Sequence, residues 1–544
     1  MTTYLPQNDP APQKRLDWLQ RNRAEYEFDL NYLSPLSLLK NLPQRENFSS
    51  KYISERLLAT SDLPANTLAV RLRSLWDPLD ELQDYEDFFP VLRRPQTIKT
   101  YQTDDSFCEQ RLCGVNPLVL RNIKELPPKT LESLQAKFGS SLNLQKELDK
   151  GNLYVADYTN LSFVQGGTYE RGKSYLPKPK ALFCWRSSGY SDRGQLVPVG
   201  IQLTLENGKT TNIITPFDNP LTWFKAKICV QIADGNHHEM SSHLCRTHLV
   251  MEPFAIVTAR QLASNHPLGL LLRPHFQFML ANNDLARKRL INRGGYVDEL
   301  LGGTLQESLQ IVKNSYQEWS LDGSALPTEI KNRGMDDPKR LPHYPYRDDG
   351  MLVWNALKKF VSNYLKIYYK TPQDISNDRE LQAWAQELTS PQGGKIKGMR
   401  DRIETVDQLI DIVTTIIFTC GPQHAAVNFP QYEYMAFVPN MPLAAYQQLT
   451  EDLSIADEKS LMSFLPPPKQ AADQLTIVYI LSAYRYDRLG YYDNDFPDPQ
   501  AQAVVEQFKQ DLNAVERQID LNNKSRLVPY IYLKPYLIPN SISI

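Results

Sequence analysis

Six of the chain's eight histidines fall between His237 and His275, and the densest run is HHEMSSHLCRTH, in which His238, His243 and His248 stand five residues apart. Imidazoles gathered in this way either ligate a metal or form a hydrogen-bonded face. Spacing narrows the choice. A zinc protease uses HExxH, because residues four apart nearly eclipse on an α-helix at about 100° per residue. Here His238 and His243 bound HEMSSH, one residue longer, so on an ideal helix the two rings diverge. Five-residue spacing converges if the helix is locally underwound into a π-turn, and His243 and His248 then aim at one point. A second pair follows in QHAAVNF, where His424 and Asn428 stand four apart on one face of an ordinary α-helix.

The tail raises a related question. YLKPYLIPNSISI carries no charged side chain from Ile538 to Ile544, whereas chain ends are ordinarily polar and mobile. If the tail folds inward, the α-carboxylate of Ile544 goes with it, and a buried carboxylate without a partner is costly. A cation is expected to meet it. Three imidazoles, an amide oxygen and a carboxylate form an N/O set without thiolate, which suits an expandable iron centre better than a closed structural zinc site. Ligand type alone leaves manganese and zinc open.

The elements that must position these groups are mainly helical. From Trp223 onward, apolar residues recur at three- and four-residue intervals through Met251, and Pro253 is expected to end or kink that helix. Further helical stretches are predicted at about 258–293, 304–320, 350–369, 404–428, 470–487 and 497–521. Strand-like segments are confined to 154–217, where LYVADYTNLSFVQ, ALFCWRSS and LVPVGIQLTLENGKTTNIITPF include the hairpin signal Asn207-Gly208. Residues 1 to 20 read as loose and 21 to 60 as one or two short amphipathic helices. The reading is one large helical domain with a small β subregion, a helical extension over 1–60 and the main domain over 61–544.

Composition excludes several classes. With 60 Lys plus Arg against 62 Asp plus Glu, the net charge is −2, and no basic stripe is present to follow nucleic acid. Six cysteines without CxxC spacing point to reduced thiols and a cytoplasmic location. The start lacks the apolar core of a signal peptide. The longest apolar-rich stretch, LIDIVTTIIFTCG, carries Asp411 and is too short to span a bilayer. It reads as a buried helix.

The run WFKAKICVQIADGNHHEMSSHLCRTHLVMEPFAIVTARQLASNHPLGLLLRPHF resembles the signature of the lipoxygenases, with His238, His243, His248, His266 and His275 in the register H-x4-H-x4-H-x17-H-x8-H. HAAVNFPQYEY and the terminal PNSISI are similar to the family's other two iron-binding segments. The likeness also takes in DSFCEQRLCGVNPLVL, NDLARKRLINRGGYVDELL and YPYRDDGMLVWNAL, so it spans roughly residues 100 to 544. It implies one non-haem iron (Fe2+/Fe3+) held by His243, His248, His424, Asn428 and the α-carboxylate of Ile544. Gln431 then orients Asn428, while His238 and Glu239 stand behind the ligands. His266 and His275 make structural hydrogen bonds. Glu239 takes a position where many plant relatives carry glutamine.

The activity implied by the resemblance is dioxygenation of a polyunsaturated fatty acid such as linoleate or linolenate. A ferric hydroxide abstracts a bis-allylic hydrogen, and O2 adds to the pentadienyl radical to give a hydroperoxide. In the same register Leu290 and Leu481 clamp the pentadiene, Val297 lines the pocket, and Ala286 favours S products. Two alternatives stay open: hydroperoxide isomerase or dehydratase chemistry at the same iron, and a non-catalytic lipid-binding protein. The form resembles compact bacterial and cyanobacterial members without the N-terminal β-barrel, expected as a monomer. The helical start is then the candidate for peripheral membrane contact.

Overall fold

The computed structural model describes residues 2–73, 79–187, 194–492 and 496–544. Its axis is one long helical run through the middle of the molecule. Asn219 caps the start, its side chain accepting from the Leu221 and Thr222 amides, and Pro220 occupies the first turn, where a missing amide proton costs nothing. Helix Pro220–His237 passes directly into a π-helical segment, His238–Leu249, and then into helix Val250–Gln261. Almost every side chain along it is buried, which is why WFKAKICVQIADGNHH shows no polar face. Pro253 lies inside the last helix without ending it.

Helix Leu305–Glu318 covers the π segment. Thr304 and Glu307 form a reciprocal capping box at its start, and Ser308, Ile311, Val312, Ser315 and Tyr316 make its buried stripe. The small serines permit close approach: Ser241 and Ser315 hydroxyls meet at 2.8 Å, and Arg246 Nε donates to Ser315 Oγ at 3.0 Å. A second interrupted helix carries the other histidine. Helix Val406–Phe418 continues through a π-turn, Thr419–Gln423, into helix His424–Asn428. The predicted helix over 404–428 is thus present, but with a π-turn that its spacing did not suggest. The stretch predicted as helix over 258–293 is broken instead. Gln261 ends one helix, Pro267–Leu272 is another, and Phe278, at a left-handed φ of 62°, precedes Met279–Arg289.

Strands are few. Arg121–Asn122 (β3), Leu153–Asp157 (β4), Lys178–Arg186 (β7) and Gln195–Thr204 (β8) form an antiparallel sheet in the order β3-β4-β7-β8. Gly167–Tyr169 (β5) and Gly172–Ser174 (β6) make a separate pair. Both faces of the larger sheet are covered: Tyr154, Ala156, Ala181 and Phe183 join the main core, while Leu153, Val155, Leu182 and Cys184 pack with Leu134 and Leu144 in a satellite cluster. The strands therefore read as continuous apolar runs. The turn at Asn207-Gly208 forms, with Gly208 at φ 78°, but the returning chain makes only isolated bridges, Thr204 with Thr210 and Ile201 with Ile214. Ser188, at the end of ALFCWRSS, lies outside the described residues, as do 189–193.

Residues 1 to 20 are not loose throughout. Helix Pro12–Glu25 docks on Val250–Gln261, with Asn22 Nδ2 donating to the Ala259 carbonyl at 2.6 Å. Its anchor is Arg15, buried among Asp9, Asn265 and Glu380. Asn265 and Glu380 are far away in sequence, so a local reading of this polar stretch had no sign of them. Residues 28 to 39 hold a small antiparallel pair, Phe28–Asp29 (β1) and Leu38–Leu39 (β2), followed by helices Ser50–Ala59 and Leu63–Arg73. Among the described residues no helix is long and apolar enough to cross a membrane.

Candidate metal centre

The π segment turns the five-residue spacing into convergence. His243 Nε2 and His248 Nε2 lie 3.3 Å apart, and His424 comes in from the second interrupted helix, its ring centroid 5.4 Å from His243 and 5.0 Å from His248. One nitrogen from each ring lies within 4.8 Å of the other two. All three rings are buried, and burial first of all depresses their basicity: His248 falls to about 3 and His424 well below its ordinary value, with neighbouring imidazoles adding to the effect. His243 is lowered too, burial outweighing the attraction of Glu239. The rings are held neutral, the form that ligates a metal.

The surroundings fix which nitrogen of His248 faces inward. His248 Nδ1 donates to Asn283 Oδ1 at 2.9 Å, and His243 Nδ1 faces Glu239 Oε2 at 3.7 Å. His248 Nε2 therefore turns a lone pair into the cluster, toward His243 Nε2. Both ring nitrogens of His424 are buried without a hydrogen-bond partner. Buried polar atoms are rarely left so. One turn beyond His424, Asn428 donates through Nδ2 to the Leu481 carbonyl at 2.7 Å, while its Oδ1 accepts from Gln431 Nε2 at 2.8 Å.

His238 stays out of the cluster. Its Nε2 donates to the Val427 carbonyl at 2.8 Å, and Nδ1 lies 3.4 Å from Glu239 Oε1. Burial opposes a charge on His238, but the Glu239 carboxylate more than offsets it and raises the ring above its ordinary value. Glu239 is lowered to about 2 against the same burial by its histidine partners. The pair is an ion pair beside the cluster, with His238 fully buried and Glu239 partly exposed.

The C-terminal tail runs inward. Ile538, Ile542 and Ile544 are buried. Asn540 pins the turn, its amides donating to both oxygens of Asp487 at 2.8 and 2.9 Å, and its carbonyl accepting from His275 Nδ1 at 2.7 Å. Tyr52 donates to the Ser543 carbonyl at 2.7 Å. Ile544 and two of the histidines, His243 and His248, line one cavity of about 310 Å³. Glu239, Ala286, Leu290, Val297 and Leu481 line it as well, within walls otherwise built mainly from leucine and isoleucine. The sequence reading missed Met240, Leu443, Ile477 and Ile480 there, and the two cations Arg56 and Arg289.

The lipoxygenase family model matches residues 88–529. The linoleate 9/13-lipoxygenase of Pseudomonas aeruginosa is 33% identical over 486 residues, covering 86% of this chain and 70% of that protein. The allene oxide synthase-lipoxygenase protein of Plexaura homomalla is 32% identical over 507 residues, covering 87% of this chain and 47% of that protein. This chain therefore spans about half the length of the second relative. A solved lipoxygenase in complex with arachidonate superposes with a TM-score of 0.91 at 30% identity, covering all of this chain and 84% of that one. The chain belongs to the lipoxygenase family.

Lipoxygenases are dioxygenases that use non-haem iron, and the residues of this one fit that metal: the inward Nε2 lone pair of His248 and the partnerless buried imidazole of His424 want a cation, and no thiolate is present in the cluster. The residues of this lipoxygenase that precede the family match, as far as they are described, form helices and one short strand pair rather than a β-barrel. His266 Nε2 pairs with Asp378 Oδ2 at 3.0 Å, and His275 lies between the Asn540 carbonyl and the Tyr492 hydroxyl. Asn283 behind His248 was legible only as a polar residue in a predicted helix. Its partner identified it.

Proposed function

We propose that this lipoxygenase oxygenates a C18 polyunsaturated fatty acid, linoleate or linolenate, at its pentadiene to give a hydroperoxide. The supporting observation is the apolar cavity that His243, His248 and Ile544 help to line. In this reading His243, His248, His424, Asn428 Oδ1 and the Ile544 carboxylate hold one iron, and Gln431 and Leu481 orient the weak amide ligand. Bound there, iron would supply the one-electron chemistry that breaks a bis-allylic C–H bond.

The chain's own work is positioning. Leu290 and Leu481 fix the pentadiene, Val297 and Ile480 shape the pocket, and Ala286 leaves one face of the chain accessible to O2. Burial of the hydrocarbon supplies affinity at about 0.8 kcal/mol per CH2, whereas an exposed ion pair contributes only about 0–1 kcal/mol. Arg56 and Arg289 therefore set direction rather than affinity: a carboxylate held by them sends the methyl end in first. Neither has an acidic partner among the described residues. Helices Ser50–Ala59 and Leu63–Arg73 expose Ile53, Leu57, Leu58, Leu68 and Leu72, and Arg56, on the first of them, also lines the cavity; we read this face as the lipid-contacting surface.

The test is incubation with linoleate under air, with chiral chromatography of the product and metal analysis of the same sample. Expected are a single S-configured hydroperoxide and one iron per chain. Full zinc occupancy without oxygen uptake would overturn the reading.

A further inference from the structure

His248 is connected to the N-terminal segment by a chain of hydrogen bonds. Its Nδ1–H donates to Asn283 Oδ1. The Asn283 amide cannot be reversed, because its Nδ2 faces two acceptors, the His248 carbonyl at 3.2 Å and Glu252 Oε2 at 2.7 Å. A flipped amide would set an oxygen against a carboxylate. Glu252 is fully buried, and its other oxygen accepts from the Leu39 amide at 2.6 Å and from Arg287 Nη1 at 2.9 Å. Sequence spacing makes this possible. Glu252 lies one helical turn after His248, and Arg287 one turn after Asn283, so two helices meet along these pairs.

We infer that Glu252 is a positioning residue for the metal centre, acting through Asn283, and that the β1–β2 pair of the N-terminal segment supports the centre through the Leu39 amide. The inference rests on His248 being an iron ligand. Glu252 forces the amide orientation, the amide forces the proton onto Nδ1, and Nε2 is left free to bind. Partners of this kind orient a ligating imidazole and raise its basicity. Arg287 makes the buried carboxylate tolerable. A glutamate is required because three donors converge on two acceptor oxygens. Glutamine has the same shape but offers one oxygen and turns an NH2 toward a donor. Leu39 precedes residues 88–529, so this support lies outside the part of the chain that the family model covers.

The test uses the full iron-loaded chain with Glu252→Gln, Asn283→Leu and, as a control for general loosening, Leu357→Ala in helix Pro345–Tyr368, which carries none of these bonds. Iron loss to excess chelator, the EPR spectrum of the ferric form and thermal unfolding are recorded. Expected for the first two is iron loss faster by about 10–100-fold with an altered ferric spectrum, and for Leu357→Ala a lower melting temperature with both iron readouts unchanged. Wild-type release rates and spectra in Glu252→Gln, or the same changes in Leu357→Ala, overturn the inference. Should Asn283→Leu not fold, the isosteric Glu252→Gln decides alone. A wild-type chain that binds no iron refutes the ligand assignment, an outcome seen before any variant is compared.

Discussion

Replacing Gly421 with alanine asks whether the tail must approach the π-turn beside His424 as closely as it does. A Cβ at 421 would stand 2.9 Å from the Pro539 carbonyl and 3.5 Å from Ile538 Cγ2, against an ordinary limit of 3.4 Å, so something must give by roughly 0.5 Å. The π-turn carrying Gly421 is buried throughout, which leaves the tail to move. Overpacking of this size costs about 1–3 kcal/mol, and alanine's better helix propensity returns about 1 kcal/mol, for a net loss of about 0–2 kcal/mol. Unfolding entropy of about 2.1 cal/mol/K per residue amounts to about 1.1 kcal/mol/K over 544 residues. The melting temperature should therefore fall by no more than about 2 °C. Iron retention should suffer more, because Ile544 lies five residues beyond Pro539 on the displaced tail, and a fall of at least about tenfold is expected. Iron per chain after dialysis against a chelator, measured beside calorimetry, reads both effects. Wild-type iron retention in the folded variant would refute the coupling, and a melting loss of about 10 °C would refute the local-strain arithmetic.

Appending one residue after Ile544 should displace the terminal carboxylate and lower iron content and turnover together; a tagged chain with wild-type values of both contradicts its role as a ligand. His275 is held down to about 4 by burial, against the raising effect of its bond to the Asn540 carbonyl. The unfolded chain takes that proton at about 6.5, so the contribution is full above pH 6.5 and is lost as pH falls toward 4, about 3 kcal/mol in all. His275→Gln should flatten that part of the stability–pH curve in urea titrations, and an unchanged slope refutes the assignment. Arg56→Leu should raise KM for linoleate by up to about fivefold and mix the regioisomers, while leaving methyl linoleate unaffected; equal effects on both substrates would exclude a carboxylate contact.

Several features were legible from residue order alone. The five-residue histidine spacing required an underwound helix, and one is present at His238–Leu249. The uncharged tail called for burial, and Ile544 is buried. Both are local arguments: a helix repeat and a desolvation cost depend on neighbours in the chain. The register of the family resemblance singled out Ala286, Leu290, Val297 and Leu481, which all line the cavity. What tertiary structure alone decided is how these pieces are held. Arg15, in a stretch that reads as loose, is fixed by Asn265 and Glu380. Glu252 looks like an ordinary helix residue until Leu39, Asn283 and Arg287 converge on it. Buried polar groups must find partners wherever the fold brings them, and such partners leave no periodicity in the sequence.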